Sequence, residues 1–345
     1  MTHPAAVPVS LDRFPRARLA HLPTPLERMP NLGRDLGGPA LWVKRDDCTG
    51  LAMGGNKARQ LEFYFGDALA KGADTVIITG AVQSNFVRQT AAAAAKLGLA
   101  CDIQLEHRVE TAAPEYATSG NVLLDRLLGA RIHHLPEGAD EQAADAAQEA
   151  IADGVRARGG RPYVIHLAPG HPPLGALGYV VAMEELLAQA AERGIVFDAV
   201  VLPSGSAATH AGTLVGLRRL GSRAEVIGVC VRRGESLQRP RVLRQALATA
   251  ELAGSPGVVS ADDVIVFDDW LGPGYGQATA EMKQAMALAA RREGLLLDPV
   301  YTGKSMAALI GLVRQGHFAA AGNVLYLHTG GTPALFGYAS MLDDV

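Results

Sequence analysis

The feature that most constrains this chain is a regular alternation. From residue 41 onward, short apolar runs alternate with longer, alanine-rich amphipathic stretches. Runs such as Val76-Ile77-Ile78 and Ala199-Val200-Val201-Leu202 are apolar at every position, as strands buried on both faces are. The pattern predicts strands at 41–46, 75–79, 101–106, 131–135, 163–167, 198–203, 225–231, 263–267 and 323–328. It predicts helices at 56–71, 84–97, 115–129, 140–158, 175–193, 208–220, 235–252, 277–293 and 303–315. Repeated strand–helix units imply an α/β protein built on parallel sheets flanked by helices. The number of strands and a mid-chain break imply two sheets, hence two domains with a cleft between them. Residues 1–40, with Arg13-Phe14-Pro15 and Leu22-Pro23-Thr24-Pro25-Leu26, read as an extended arm.

Composition narrows the function classes. The chain has 345 residues, 48% of them hydrophobic, enough for a sizeable core. A net charge of −3 with no long basic run argues against a nucleic-acid partner. Cys48, Cys101 and Cys230 lie far apart, with no CxxC and no histidine at zinc-site spacing, so neither a disulfide framework nor a metal is expected. Met1-Thr2-His3-Pro4 lacks a signal pattern, and no apolar run approaches the roughly 20 residues of a membrane span. A cytoplasmic protein without a membrane partner is the expectation.

Six stretches combine glycine, hydroxyl and charged residues where strands give way to helices, the positions at which parallel sheets bind ligands. In Ala52-Met53-Gly54-Gly55-Asn56-Lys57, two glycines permit a tight turn and Asn56 is placed to cap a helix opened by Lys57. The positive end of that helix disfavours the ammonium form of Lys57, and a neutral amine is what carbonyl chemistry requires. Ser84, in Gln83-Ser84-Asn85-Phe86, caps the next helix and aims its first amides at a carboxylate. Gly205-Ser206-Ala207-Ala208-Thr209 is a phosphate cradle without the glycine count of a dinucleotide site. Tyr275 sits in the turn Gly272-Pro273-Gly274-Tyr275-Gly276. Asp298-Pro299-Val300-Tyr301-Thr302-Gly303-Lys304-Ser305 resembles a Walker loop, but Asp298 replaces its first glycine, which argues against an ATPase. His328-Thr329-Gly330-Gly331 adds one more hydroxyl. Each stretch alone is equally well explained as an ordinary turn. Together they supply what pyridoxal phosphate requires: an amine, an anion-binding helix start, a phosphate cradle and hydroxyls around a flat ring.

These motifs, with Lys44-Arg45-Asp46-Asp47 and Asp298-Pro299-Val300-Tyr301, resemble the pyridoxal-phosphate family of D-cysteine desulfhydrases, cysteate sulfo-lyases and aminocyclopropane-carboxylate (ACC) deaminases. The resemblance runs from about Arg13 to Tyr338. It implies a two-domain enzyme of fold type II, with the active site in the interdomain cleft, usually a homodimer. Residues 1–54 and 166–345 would form the large domain and 55–165 the small one. By the same resemblance, Lys57 holds the cofactor covalently and Asn85 lies near its ring hydroxyl. Gly205, Ser206, Ala207, Ala208 and Thr209 hold its phosphate, with Thr302 and Thr329 beside the ring. Ser84, Tyr275 and Tyr301 join Lys57 as catalytic residues.

The deaminases carry Glu at the position of Thr302 and Leu at that of Thr329, which places this chain with the desulfhydrases and sulfo-lyases. The implied reaction is β-elimination from a small cysteine-like amino acid, D-cysteine or L-cysteate in type. Alternatives are an ACC deaminase-like ring-opening enzyme, a racemase, or a pyridoxal-phosphate-binding protein without catalysis. Four departures stand out: Gln60 for a second lysine, Phe86 for a histidine, Ala208 for a glycine, and the loop 168–173 for a Gly-Gly-Ser-Asn-like loop. Phe86 and His171 are expected to join Ser84 and Asn85 in binding substrate.

Overall fold

The computed structural model describes residues 10–111, 113–138, 140–168 and 170–343. The expectations on residues 1–4, on the first part of the arm and on Pro169 lie outside the described residues. In chain order the elements are β1 (Leu26–Arg28), α1 (Pro30–Leu36), β2 (Ala40–Arg45), α2 (Lys57–Ala70), β3 (Thr75–Ala81), α3 (Asn85–Leu97) and β4 (Ala100–Glu106). There follow α4 (Pro114–Thr118), α5 (Gly120–Leu127), β5 (Arg131–Leu135), α6 (Glu141–Ala157), β6 (Pro162–Ile165), α7 (Leu174–Glu192), β7 (Ala199–Ser204) and α8 (Ala208–Arg219). The chain ends with β8 (Glu225–Cys230), α9 (Glu235–Leu252), β9 (Ile265–Phe267), α10 (Ala280–Glu293), α11 (Thr302–Arg314), β10 (Asn323–His328) and α12 (Ala334–Gly337).

Two sheets result. One has six strands in the order β1-β2-β10-β7-β8-β9, parallel except for the antiparallel β1–β2 pair. The other has four parallel strands in the order β5-β4-β3-β6. Helices cover both faces of the larger sheet. Leu177, Val200, Leu214 and Leu325 pack on one side, and Val201, Met286, Leu309 and Tyr326 on the other. That two-sided burial is why β7 and β10 read as unbroken apolar runs. The smaller sheet packs Val76, Ile78, Ile103 and Val87 into its own core.

Two expectations need correction. The arm is not extended throughout: it contributes β1 and α1. Pro30 starts α1 at its first turn and Gly37, at φ 64°, ends it, a proline-to-glycine signature of helix ends. The helix expected over 115–129 is two helices, α4 and α5, broken at Ser119-Gly120. The break is imposed from outside. Gln83 donates through Nε2 to the carbonyls of Tyr116 and Ser119, and a side chain at Gly120 (φ 57°) would collide with Gln83.

Contrary to the expectation, one helix among the described residues, α7 (19 residues, mean hydropathy 1.2), is long and apolar enough to cross a membrane, but more than half of it is buried inside the protein. It packs between α2 and α8, and Glu185 on it anchors a buried ionic cluster. Arg59, in the first turn of α2, pairs with Asp46 (2.9 Å) and with Glu185 (2.9 Å). Lys44 pairs with Glu185, and Thr24 of the arm joins Asp46 at 2.8 Å. Two cations meet two carboxylates, and Tyr179 adds a hydrogen bond to Asp46. Burial penalises each charge alone, so geometry this complete is required to hold them. The result fixes the first turn of α2, and with it the position of Lys57, relative to β2 and α7.

Candidate active site

The carboxyl ends of β3, β7 and β10 open onto a cleft, the kind of concave site in which small ligands bind. Its wall includes Asn56, Lys57, Ser84, Asn85, Phe86, Gly205, Ser206, Ala207, Thr209, Tyr275, Tyr301 and Thr329. The tertiary fold thus brings together residues spread over more than two-thirds of the chain.

Lys57 is the first residue of α2. The turn before it is strained: Ala52, Met53, Gly54 and Gly55 all have positive φ. A Cβ on Gly54 would lie 1.9 Å from the Asp47 carbonyl, and one on Gly55 2.6 Å from Gln89 Nε2. Only glycine fits at 54 and 55. Asn56 does not cap α2. Its side chain instead donates to Thr209 Oγ1 (2.8 Å), and Gln60 Nε2 reaches the same hydroxyl (2.8 Å). The lysine turn and the 205–209 loop are therefore tied directly together. The Lys57 amine lies 4.5 Å from the Phe86 ring centroid and 3.3 Å from Gln60 Oε1, and among the described residues no carboxylate pairs with it. Burial pulls its ammonium down to about 8. At pH 7 about one molecule in ten then carries the neutral amine, against about three in ten thousand for an ordinary lysine. Lys304 is lowered to about 8 as well, but its Nζ donates to the Leu271 and Gly274 carbonyls (both 2.7 Å). Lys304 holds the turn that carries Tyr275, and Lys57 alone of the two faces the cleft.

Residues 205–209 form a turn with the geometry of an anion-binding helix start. Ala207 adopts φ 79° at the start of α8. This aims successive amides outward, and among the described residues the amides of 206–209 donate to no acceptor in the protein. The first amides of a helix have no partner within it, and with the helix dipole they favour an anion. Ala208 contributes through its backbone, since its side chain lies outside the cleft wall. His210 lines the wall but is committed to Ser204 and the Val226 carbonyl, and burial lowers it to about 4, leaving it neutral.

Ser84 both caps α3, accepting from the Val87 amide at 3.3 Å, and faces the cleft. Gly80 makes this possible, because a Cβ there would lie 2.6 Å from Ser84 Oγ. Asn85 accepts from Asn121 Nδ2 (3.1 Å), which also donates to the Gln83 carbonyl (3.1 Å). This leaves the NH₂ of Asn85 to serve a ligand. The hydroxyls of Tyr275 and Tyr301 are 2.8 Å apart. Burial raises both phenols, so both are protonated at neutral pH. One hydroxyl is spent inside the pair, and the accepting tyrosine keeps its own proton free.

Two expected residues lie elsewhere. Thr302 is fully buried and absent from the wall. Its Oγ1 is held by the carboxylate of Asp298 at 2.7 Å, and Asp298 also accepts from the amides of Val300, Tyr301 and Thr302. Thr302 therefore positions Asp298, which does line the cleft. His171 is outside the wall too. It is paired with Asp145 (3.2 Å) and stacked on His166, and it lines a smaller pocket shared with Phe86, Gln60 and Ser206, whereas Phe86 also faces the cleft itself.

The pattern reading missed a charged rim. Glu141, at the start of α6, pairs with Arg232 (2.9 Å), Arg233 and Arg241 (2.8 Å). Arg241 and Gln238 also grip the carbonyls of Ser206 and Gly205. Arg108, paired with Glu106 at 2.7 Å, lies over the Tyr275 ring. Burial and the neighbouring arginines Arg108 and Arg233 lower Arg232 to about 10. No local signal exposes this rim, because its members are separated by up to 133 positions (241 − 108).

An amine held near neutrality, unpaired cradle amides and an excess of positive charge fit a phosphorylated aldehyde cofactor. The chain belongs to the family of pyridoxal-phosphate-dependent enzymes, whose family model matches residues 17–330. It is 48% identical to a D-cysteine desulfhydrase of Salmonella paratyphi A over 328 residues, covering 95% of this chain and 97% of that protein. It is 47% identical to the D-cysteine desulfhydrase of Salmonella choleraesuis over the same length. The crystal structure of an ACC deaminase homologue superposes with a TM-score of 0.86 at 37% identity, over 99% of both chains. O-ureido-L-serine synthase, at 17% identity and a TM-score of 0.66, shares the fold.

Proposed function

We propose that this chain is a carbon–sulfur lyase that converts D-cysteine and water to pyruvate, ammonia and sulfide. The observation that carries the reading is the conjunction of an uncompensated, half-buried Lys57 with a protonated tyrosine pair across the same cleft, in a chain 48% identical to D-cysteine desulfhydrases. Pyridoxal phosphate, when bound, supplies an electron sink for the charge left at the substrate's Cα. Lys57 would hold its aldehyde carbon, and the 206–209 amides with Ser206 and Thr209 its phosphate. Asn85 and Thr329 would flank its ring.

The remaining steps belong to the protein. Ser84 and the first amides of α3 bind the substrate carboxylate and so orient the Cα–H bond. The Lys57 amine takes that proton, being basic enough to accept it and neutral often enough to do so at pH 7. The free hydroxyl of the Tyr275–Tyr301 pair delivers a proton to the departing sulfur. Lys304 keeps Tyr275 in reach, and the buried wall around Phe86 limits access of water.

A second reading has its own support. Arg108 and Arg232 beside the tyrosines would suit an anionic side chain, as in L-cysteate, with sulfite leaving. By resemblance, we further propose a cytoplasmic homodimer, with 1–54 and 166–345 as one domain and 55–165 as the other. Each sheet draws its strands from one of these two sets. The test is a pyruvate assay over D-cysteine, L-cysteine, L-cysteate and ACC, with sulfide, sulfite and ketobutyrate measured separately. Equal sulfide and pyruvate from D-cysteine supports the reading. Sulfite from L-cysteate alone supports the second, and ketobutyrate from ACC overturns both.

A further inference from the structure

Away from the cleft wall, α6 and the loop after β6 bring four side chains together. Asp145 and Glu149, one helical turn apart, face His166 at the end of β6 and His171 five residues later. His166 Nδ1 is 3.4 Å from Asp145 Oδ1, and His171 Nε2 is 3.2 Å from Asp145 Oδ2. Glu149 Oε1 lies 3.5 Å from His166 Nε2. One donor atom each from Asp145, His166 and His171 fall within 4.8 Å of one another. The imidazoles stack in parallel, centroids 3.7 Å apart.

Two observations separate this cluster from an ordinary surface ion pair. His166 Nδ1 is out of solvent yet makes no hydrogen bond, although a carboxylate oxygen of Asp145 lies 3.4 Å away. A buried imidazole nitrogen without a partner is costly unless something else satisfies it. The charges are also unbalanced. Arg156 lies 3.5 Å from Glu149, while the described ion pairs of Asp145 are with the two histidines alone.

We propose that Asp145, His166 and His171 bind a borderline divalent transition metal of the zinc type, with Glu149 in reach as a fourth ligand. Two imidazoles and a carboxylate are a recognised ligand set for such ions, and an open side leaves room for water. Ligand distances of about 2.0–2.2 Å require the rings to turn out of their stack. His171, 41% exposed on a loop, is free to do this. A bound ion would fasten α6 to the loop holding Leu167, whose carbonyl accepts from Arg241 at 2.9 Å.

The test uses cofactor-loaded, metal-stripped protein carrying Cys48→Ser, since Cys48 is an exposed thiol. Zn²⁺ is titrated against a chromophoric chelator, and Co²⁺ is added separately to read coordination from its visible spectrum. The expected result is one equivalent of Zn²⁺ bound in the micromolar range, with an intense Co²⁺ band. His171→Ala and Asp145→Asn should each weaken binding by about tenfold or more. His107→Ala, which breaks the separate exposed pair His107–His134, should not. Less than one equivalent, binding unchanged in His171→Ala, or equal loss in His107→Ala would overturn the proposal.

Discussion

The clearest energetic consequence of the site concerns Lys57 in the cofactor-free protein. Its ammonium is desolvated without a compensating carboxylate, so the fold bears a cost whenever that group is charged. The fall from 10.5 to about 8 corresponds to about 3 kcal/mol. The sign follows from proton counts. Between the two values the unfolded chain binds a proton that the folded chain does not, so stability rises with pH through that window. Below about 8 the full penalty is present, and above 10.5 it is gone. Lys57→Met keeps an unbranched chain one atom shorter and removes the charge. The cofactor-free variant should therefore be more stable than wild type at pH 7, by about 3 kcal/mol, and by only about 1 kcal/mol at pH 10. Urea denaturation of both proteins at the two pH values measures the double difference, in which all other titrations cancel. A gain that is the same at pH 7 and pH 10 would reflect packing alone and refute the argument, as would no gain at pH 7.

Other residues give independent tests. Glu141→Gln leaves Arg232, Arg233 and Arg241 facing one another and should cost about 3 kcal/mol in urea denaturation; a change within about 0.5 kcal/mol would show that the rim does not depend on that carboxylate. Asp125 is buried with neither oxygen hydrogen-bonded, and burial raises it to about 8. It binds its proton more tightly folded than unfolded, so stability falls as pH rises from about 4 to 8. Asp125→Asn should then be the more stable by about 5 kcal/mol at pH 8, with the advantage shrinking toward pH 4 in the same denaturation assay. Tyr301→Phe removes one hydroxyl of the tyrosine pair and should lower kcat about a hundredfold with little change in KM; steady-state kinetics giving the reverse split would assign Tyr301 to binding.

Much of the fold was legible because every strand but β1 and most helices carry their own signal. β3, β7 and β10 are apolar throughout since both their faces are covered. Helix starts at Ser84 and at the 205–209 loop were visible as small polar residues after such runs. The signals of α1, Pro30 and Gly37, were also in the sequence, but the surrounding prolines obscured them. The break at Gly120 was not legible, because its cause is the side chain of Gln83, held in place by tertiary packing. The same holds in the cleft. The lysine turn, the cradle and the tyrosines are local motifs and were found. Glu141 with its arginines, and Asn121 behind Asn85, become neighbours only in the folded chain. Thr302 and His171 were placed by motif position, yet they pair with Asp298 and Asp145. In each case a nearby carboxylate, whose reach a linear pattern does not encode, decided where the polar group points.

The central claim, that Lys57 is the residue to which the cofactor is joined, has a direct test. Borohydride reduction of the cofactor-loaded protein fixes the cofactor to its lysine, and peptide mass spectrometry locates it. The account predicts a single pyridoxyl-modified peptide carrying Lys57, with Lys44 and Lys304 unmodified. Modification at Lys304, the other buried lysine lowered to about 8, or none at Lys57, would contradict it.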